Sequence, residues 1–151
     1  MTVKMQSEAL YDDILSRVEN HTGIGSTFLS TLNSAGKKLF KEKFHGVYPS
    51  DMVPQLSKTQ PYCILNCDKS DMPGSHWVAM CYKTKKTSLF YDSFGRKPEK
   101  IIPAIVNGVN GRIESTEKDA EQHMTESNCG ARCLAWLIVC DQCGLNAARY
   151  I

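Results

Sequence analysis

The fifteen residues from Cys129 to Cys143 are apolar almost throughout, with Arg132 the one charge before Asp141. A helix so poor in polar residues is a core element, and a second layer has to cover it. Ser127 or Asn128 caps its start and Gly144 ends it. A cysteine occupies its first position, where unpaired backbone amides and the positive end of the helix dipole favour a thiolate and can hold an oxyanion. Cys133 and Cys140 follow four and eleven residues later, on the core side, and read as buried structural thiols.

The covering layer is legible upstream. Tyr62 to Asn66, His76 to Tyr82 and Ser88 to Asp92 are short apolar runs bounded by Gly, Pro, Asp or Lys-rich turns, which predicts three strands, and Arg112 to Ser115 reads as a fourth. Pro98 to Val109 predicts a short helix interrupted near Pro103. On the N-terminal side, Ser7 caps a helix with Leu10, Ile14 and Val18 at helical spacing, stopping between Asn20 and Gly25. A second helix is predicted from Ser26 to about Phe44. Its stripe is Phe28, Leu29, Leu32, Ala35, Leu39 and Phe40, with Lys37, Lys38, Lys41 and Lys43 largely opposite as a solvated face. His45 to Asp51 reads as a connector, and Pro54 and Pro61 enclose a further irregular piece. With no internal repeat, low-complexity tract or linker, residues 1–151 are expected to form one α+β domain.

Composition narrows the function classes. The chain is 42% hydrophobic and 23% charged with a net charge of +2, far from the basic bias of a dedicated nucleic-acid module. No apolar run approaches the roughly 18 residues that span a bilayer, and residues Met1 to Asn20 lack the apolar core of a secretion signal. An intracellular, non-secreted protein is expected, with its seven cysteines reduced rather than paired in a disulfide framework.

Two further residues join Cys129 to make the parts of a thiol protease. If the strands beginning at His76 and ending at Asp92 form a hairpin turning at Lys83 to Thr87, paired residues have numbers summing to about 168 to 170, which puts His76 opposite or diagonal to Asp92. An imidazole and a carboxylate so placed are within hydrogen-bonding reach. A cysteine nucleophile needs a base to take its proton and a carboxylate to orient that base.

His76-Trp77 followed by an apolar strand, Asp92-Ser93-Phe94-Gly95 sixteen residues on, and Gln122 seven residues before Cys129-Gly130 resemble the adenovirus maturation protease. The cysteine proteases of virophages and virus-like transposons are similar, and SUMO-specific proteases are more distantly so. Phe44-His45-Gly46-Val47-Tyr48 with Asp51 and Pro54 resembles the segment before the first strands in the virophage and transposon members, so the likeness covers Phe44 to about Gly144. The resemblance implies a papain-like fold of the adenain type, with a central helix packed on a small mixed sheet and flanking helices. It implies Cys129 as nucleophile, His76 as base, Asp92 as the acidic third member, Gln122 as an oxyanion donor and Trp77 as a wall of the substrate channel. Viral capsid precursors are the implied substrates, cleaved after glycine in the virion, the host cytoplasm or a virus factory. No cofactor or metal is implied, and need for a DNA or peptide activator is open. The disulfide by which an activating peptide joins the adenovirus enzyme has no counterpart, since no cysteine lies between Cys81 and Cys129.

Two other readings stand beside this one. A protease removing ubiquitin-like modifiers would share the three residues but add a docking surface for a folded protein. A non-catalytic protein would either bind zinc through Cys63, Cys67, Cys129, Cys133, Cys140 and Cys143, although four cysteines strung along one helix cannot converge on one tetrahedral ion, or carry the three residues unused as a structural virion component.

Overall fold

The computed structural model describes residues 2–22, 29–67, 76–102, 111–116 and 128–151. They build a mixed five-stranded sheet with helices, an α+β architecture. Strands β1 (Phe44–Tyr48), β2 (Tyr62–Asn66), β3 (Trp77–Thr84), β4 (Thr87–Tyr91) and β5 (Arg112–Ser115) lie side by side in chain order. The inner pairs β2/β3 and β3/β4 are antiparallel, while β1 and β5 each run parallel to their neighbour.

The predicted strands stand where the sequence reading puts them, within one or two residues. β1 is a correction, because His45 to Asp51 reads as a connector yet Phe44 to Tyr48 pairs with β2. Its pattern is hidden by a register break between Phe44 and Gly46 and by Gly46 itself, whose φ of +144° suits glycine. The second helix, α2 (Leu29–Phe40), therefore ends earlier than Phe44, through a 3-10 turn at Lys41–Lys43 that opens with Lys41 at φ +55°. Leu32, Ala35 and Phe40 of the expected stripe are buried, whereas Leu29 and Leu39 are exposed and Phe28 lies outside the described residues. The four lysines are exposed, with Lys43 paired to Asp141 at 3.1 Å.

The first helix also departs from expectation. α1 runs Val3–Thr22, and its first-turn cap is Thr2, whose hydroxyl accepts the Met5 N–H at 3.1 Å. Ser7 is instead buried inside it, and the face turned inward is Tyr11, Ile14, Leu15 and Val18 rather than Leu10. The helix after β4, α3, spans Pro98–Ile101; the rest of the expected Pro98 to Val109 helix falls outside the described residues. At the C-terminal end α4 (Cys129–Cys143) has the expected bounds, and a short α5 (Leu145–Ala148) follows Gly144.

Each face of the sheet carries a core. On one, α1, α2, α4 and α5 pack over Tyr62, Ile64, Trp77, Ala79, Cys81, Leu89 and Tyr91; on the other, Cys63, Leu65, Val78, Met80 and Phe90 meet Ile102. The alternation along β3 and β4 is the strand period of two, with both faces covered. α4 lies between α1 and β3, which is why its first nine residues are all buried. Trp136, fully buried, stacks on Tyr91 with centroids 5.3 Å apart and planes 9° apart, and its indole N–H donates to the Ala148 carbonyl at 3.0 Å. One side chain thus joins helix, sheet and C-terminal turn. Trp136→Ala should cost about 3–5 kcal/mol of stability, read as a lower urea midpoint by circular dichroism with the denaturant slope unchanged.

Candidate active site

The β3–β4 hairpin carries two of the three residues. Its pairs, from Ala79 with Tyr91 to Tyr82 with Ser88, have residue numbers summing to 170, and the strands close at Thr84 with Thr87 after a bulge. His76 immediately precedes β3 and Asp92 immediately follows β4, so this register leaves them diagonal at one end of the sheet. The His76 Nε2 and Asp92 Oδ1 atoms are 2.6 Å apart and both residues are buried.

Asp92 is held on both oxygens. Oδ1 also accepts the Phe94 N–H at 3.2 Å, and Oδ2 accepts the Arg96 N–H at 3.0 Å and the Arg96 Nε–H at 2.9 Å. Burial alone would raise its pKa, but the bonds from His76 and Arg96 outweigh it and lower the value to about 2. The carboxylate is therefore ionised at neutral pH.

Cys129 comes to the other side of the imidazole from the start of α4. Asn128 stands at the cap position but its side chain does not cap the helix. It donates to Glu19 Oε1 at 2.8 Å and accepts Arg132 Nε–H at 3.1 Å. The first-turn amides are thereby left free of a competing side-chain oxygen, and the Gly130 N–H serves the Cys129 sulfur. The Trp77 N–H and the His76 ring also hydrogen-bond it. Since Nε2 is committed to Asp92, Nδ1 is the ring nitrogen left for the thiol. Burial pushes the Cys129 thiol up, but His76 and the two amides more than offset this and bring it below the ordinary thiol range. For His76, burial works against the charged form, while the Asp92 bond and the Cys129 contact reverse the sign and raise its pKa. The two opposite shifts favour a thiolate–imidazolium pair.

Cys133 is one turn further along α4 and behaves oppositely. Full burial, with the charges of Cys129 and Asp92 nearby, holds its thiol well above the usual range, and burial does the same to Cys140. Trp77, 7% exposed, packs in the helix-side core, so within this domain its indole is chiefly a core group and its amide is what touches the sulfur. Gln122 lies outside the described residues, as does Ser127. Among the described residues no cluster of three or more His, Cys, Asp or Glu side chains converges as metal ligands would, and no helix is long and apolar enough to cross a membrane.

Several residues of the site were given no role from the sequence. Phe94 stacks on the His76 ring at 4.7 Å and Arg96 stands over Phe94 at 5.0 Å. Behind the site, Arg132 donates from Nη1 to the Tyr11 hydroxyl at 3.3 Å, and that hydroxyl lies 2.7 Å from the Tyr91 hydroxyl. A lone arginine in an apolar helix was the available signal, since a buried guanidinium requires acceptors. Compared with known proteins, the chain matches no family model and no curated sequence.

Alkylation with iodoacetamide should label Cys129 with a midpoint below the ordinary thiol value of 9.0, and His76→Ala should move that midpoint up by one unit or more, about 1.4 kcal/mol. Cys133 should stay unlabelled in the folded protein by peptide mass mapping. The linkage to stability has a definite sign. Asp92 is depressed, so its contribution is complete above its ordinary value of 3.8 and is lost as pH falls toward about 2. Denaturation midpoints of the parent should therefore fall more steeply than those of Asp92→Asn across that interval.

Proposed function

We propose that this protein is a cysteine endopeptidase of the adenain type. The observation that carries the reading is a single imidazole bonded to a buried carboxylate on one side and to a helix-N-terminal thiol on the other. The Cys129 thiolate attacks the scissile carbonyl while His76, protonated in the ion pair, stands ready to deliver its proton to the leaving amine. Asp92 fixes the ring's orientation and stabilises its positive form. In the second half of the cycle His76 draws a proton from water, which attacks the thioester and frees the enzyme. The Cys129 amide at the start of α4 stabilises the tetrahedral oxyanion, and Gln122, carried over from the family resemblance, supplies a second donor.

The same resemblance supports viral capsid precursors as substrates, in a virion or virus factory, with glycine before the scissile bond. We expect cleavage after Gly-Gly or Gly-x-Gly, with Leu, Ile or Met two places before the first glycine. The Trp77 N–H on the Cys129 sulfur supports a cleft that runs beside its backbone. A DNA or peptide activator is tested by adding each to the assay.

Incubation with candidate capsid precursors and a peptide library, with junctions read by mass spectrometry, decides the matter. Cys129→Ala should reduce cleavage by at least roughly 10³-fold with the fold retained, and Cys133→Ala should keep it. Asp92→Asn should lower kcat while leaving substrate binding nearly unchanged, and Gln122→Ala should cost about 10²–10³-fold in kcat. Near-parental turnover by Cys129→Ala would overturn the reading. Efficient cleavage after bulky or charged residues would overturn the glycine preference, as would an unchanged preference in Trp77→Ala for the indole as its cause.

A further inference from the structure

The loop after β4 places a cation and an aromatic ring around the His76–Asp92 pair. Arg96 donates to Asp92 Oδ2 through Nε–H at 2.9 Å, and the same oxygen takes the Arg96 main-chain N–H at 3.0 Å. Its guanidinium stands 5.0 Å from the Phe94 ring centre, and that ring lies 4.7 Å from the imidazole of His76 at 25°. The Phe94 ring thus contacts both Arg96 and His76, and Asp92 bonds the first through Oδ2 and the second through Oδ1. Asp92 has a fully buried side chain and Arg96 a 43% exposed one, so the cation reaches in from solvent to a charge that has none.

We propose that Arg96 is a positioning residue of this site: with Phe94 as spacer it locks the Asp92 carboxylate and the His76 ring in one geometry and takes up part of the carboxylate's charge. The inference rests on the reading of Cys129, His76 and Asp92 as a protease site and deepens it. Two effects follow from an arginine in this place. Its Nε–H, set in a rigid plane, adds a second donor on Oδ2 and restricts the rotation of Asp92, which a main-chain amide alone leaves freer. Its permanent charge also opposes the positive form of His76, keeping the base from being held protonated too firmly to act. Among the described residues the titratable groups acting on the imidazole are Asp92 and Cys129, and Cys133 of α4 lies near Asp92, so the cation reaches His76 through the carboxylate.

The test uses ¹⁵N-histidine-labelled full-length protein, with the His76 signal assigned by His76→Gln among the four histidines. The parent, Arg96→Gln, Arg96→Lys and Cys129→Ala are titrated by NMR, and kcat and KM are measured on one glycine-containing peptide. We expect the His76 midpoint to rise by about one unit in Arg96→Gln, kcat to fall roughly 10-fold with KM nearly unchanged, and Arg96→Lys to recover the midpoint but not kcat. The half-exposed side chain and the retained Arg96 N–H make loss of folding in Arg96→Gln an unexpected result, checked by its thermal midpoint; a rotationally looser Phe94→Leu serves as a second variant, expected to lower kcat without raising the His76 midpoint. An unchanged or lower His76 midpoint in Arg96→Gln, with parental kcat, overturns the role given to Arg96. A His76 midpoint indifferent to Cys129→Ala overturns instead the pairing of His76 with Cys129, so the two failures are told apart.

Discussion

Everything at the site is measured from the seating of α4 on the sheet. The helix is apolar over nearly its whole circumference, so burial between α1 and β3 leaves it little freedom to slide or rotate. The contact of Trp136 with Tyr91 fixes that seat at a point seven residues from Cys129 and one from Asp92. The position of Cys129 is then a property of helix packing, whereas the positions of His76 and Asp92 are a property of hairpin register. A slip of one residue in the hairpin would turn the side chains of β4 to the other face and take Asp92 from His76.

Bases and acids alternate along the line from solvent to the helix end: guanidinium, carboxylate, imidazole, thiol. Asp92 has four donors on its two oxygens. Burial opposes ionisation at all three inner groups, and in each case hydrogen bonds to the ionised form reverse the outcome. Such a row stands or falls together, because removing one member leaves the next without compensation in a medium that screens poorly. Cys133, a turn away on the same helix, shows what burial does to a thiol that lacks these partners.

Much of this was legible in the sequence, for reasons that differ by element. β2, β3 and β4 announce themselves by apolar runs between turn residues, and α4 by an apolar stretch too long for a strand. The meeting of His76 with Asp92 follows from counting across one turn, since an antiparallel pair obeys simple arithmetic. β1 escaped because its residues pair in parallel with partners 17 or 18 residues away, and Gly46 with the bulge beside it breaks the period. Tyr11 stands at i, i+3, i+4 and i+7 with Ile14, Leu15 and Val18, a helical stripe that the more hydrophobic Leu10 masked, and its partners Tyr91 and Arg132 are 80 and 121 residues distant. Arg96 escaped for a related reason: its bond to Asp92 depends on the shape of a turn, not on spacing.

The bonds that tie α1 to the start of α4 have a consequence for biosynthesis. Glu19 meets Asn128 across 109 residues, and Tyr11 meets Arg132 across 121, so the ribosome delivers α1 long before anything exists to cover it. Tyr11, Ile14, Leu15 and Val18 then wait, as an uncovered apolar face, until residues 129–143 emerge. Local helix formation precedes such distant closure by orders of magnitude in time. For that interval the nascent chain presents a sticky helix, and His76 and Asp92 are made before the thiol that meets them.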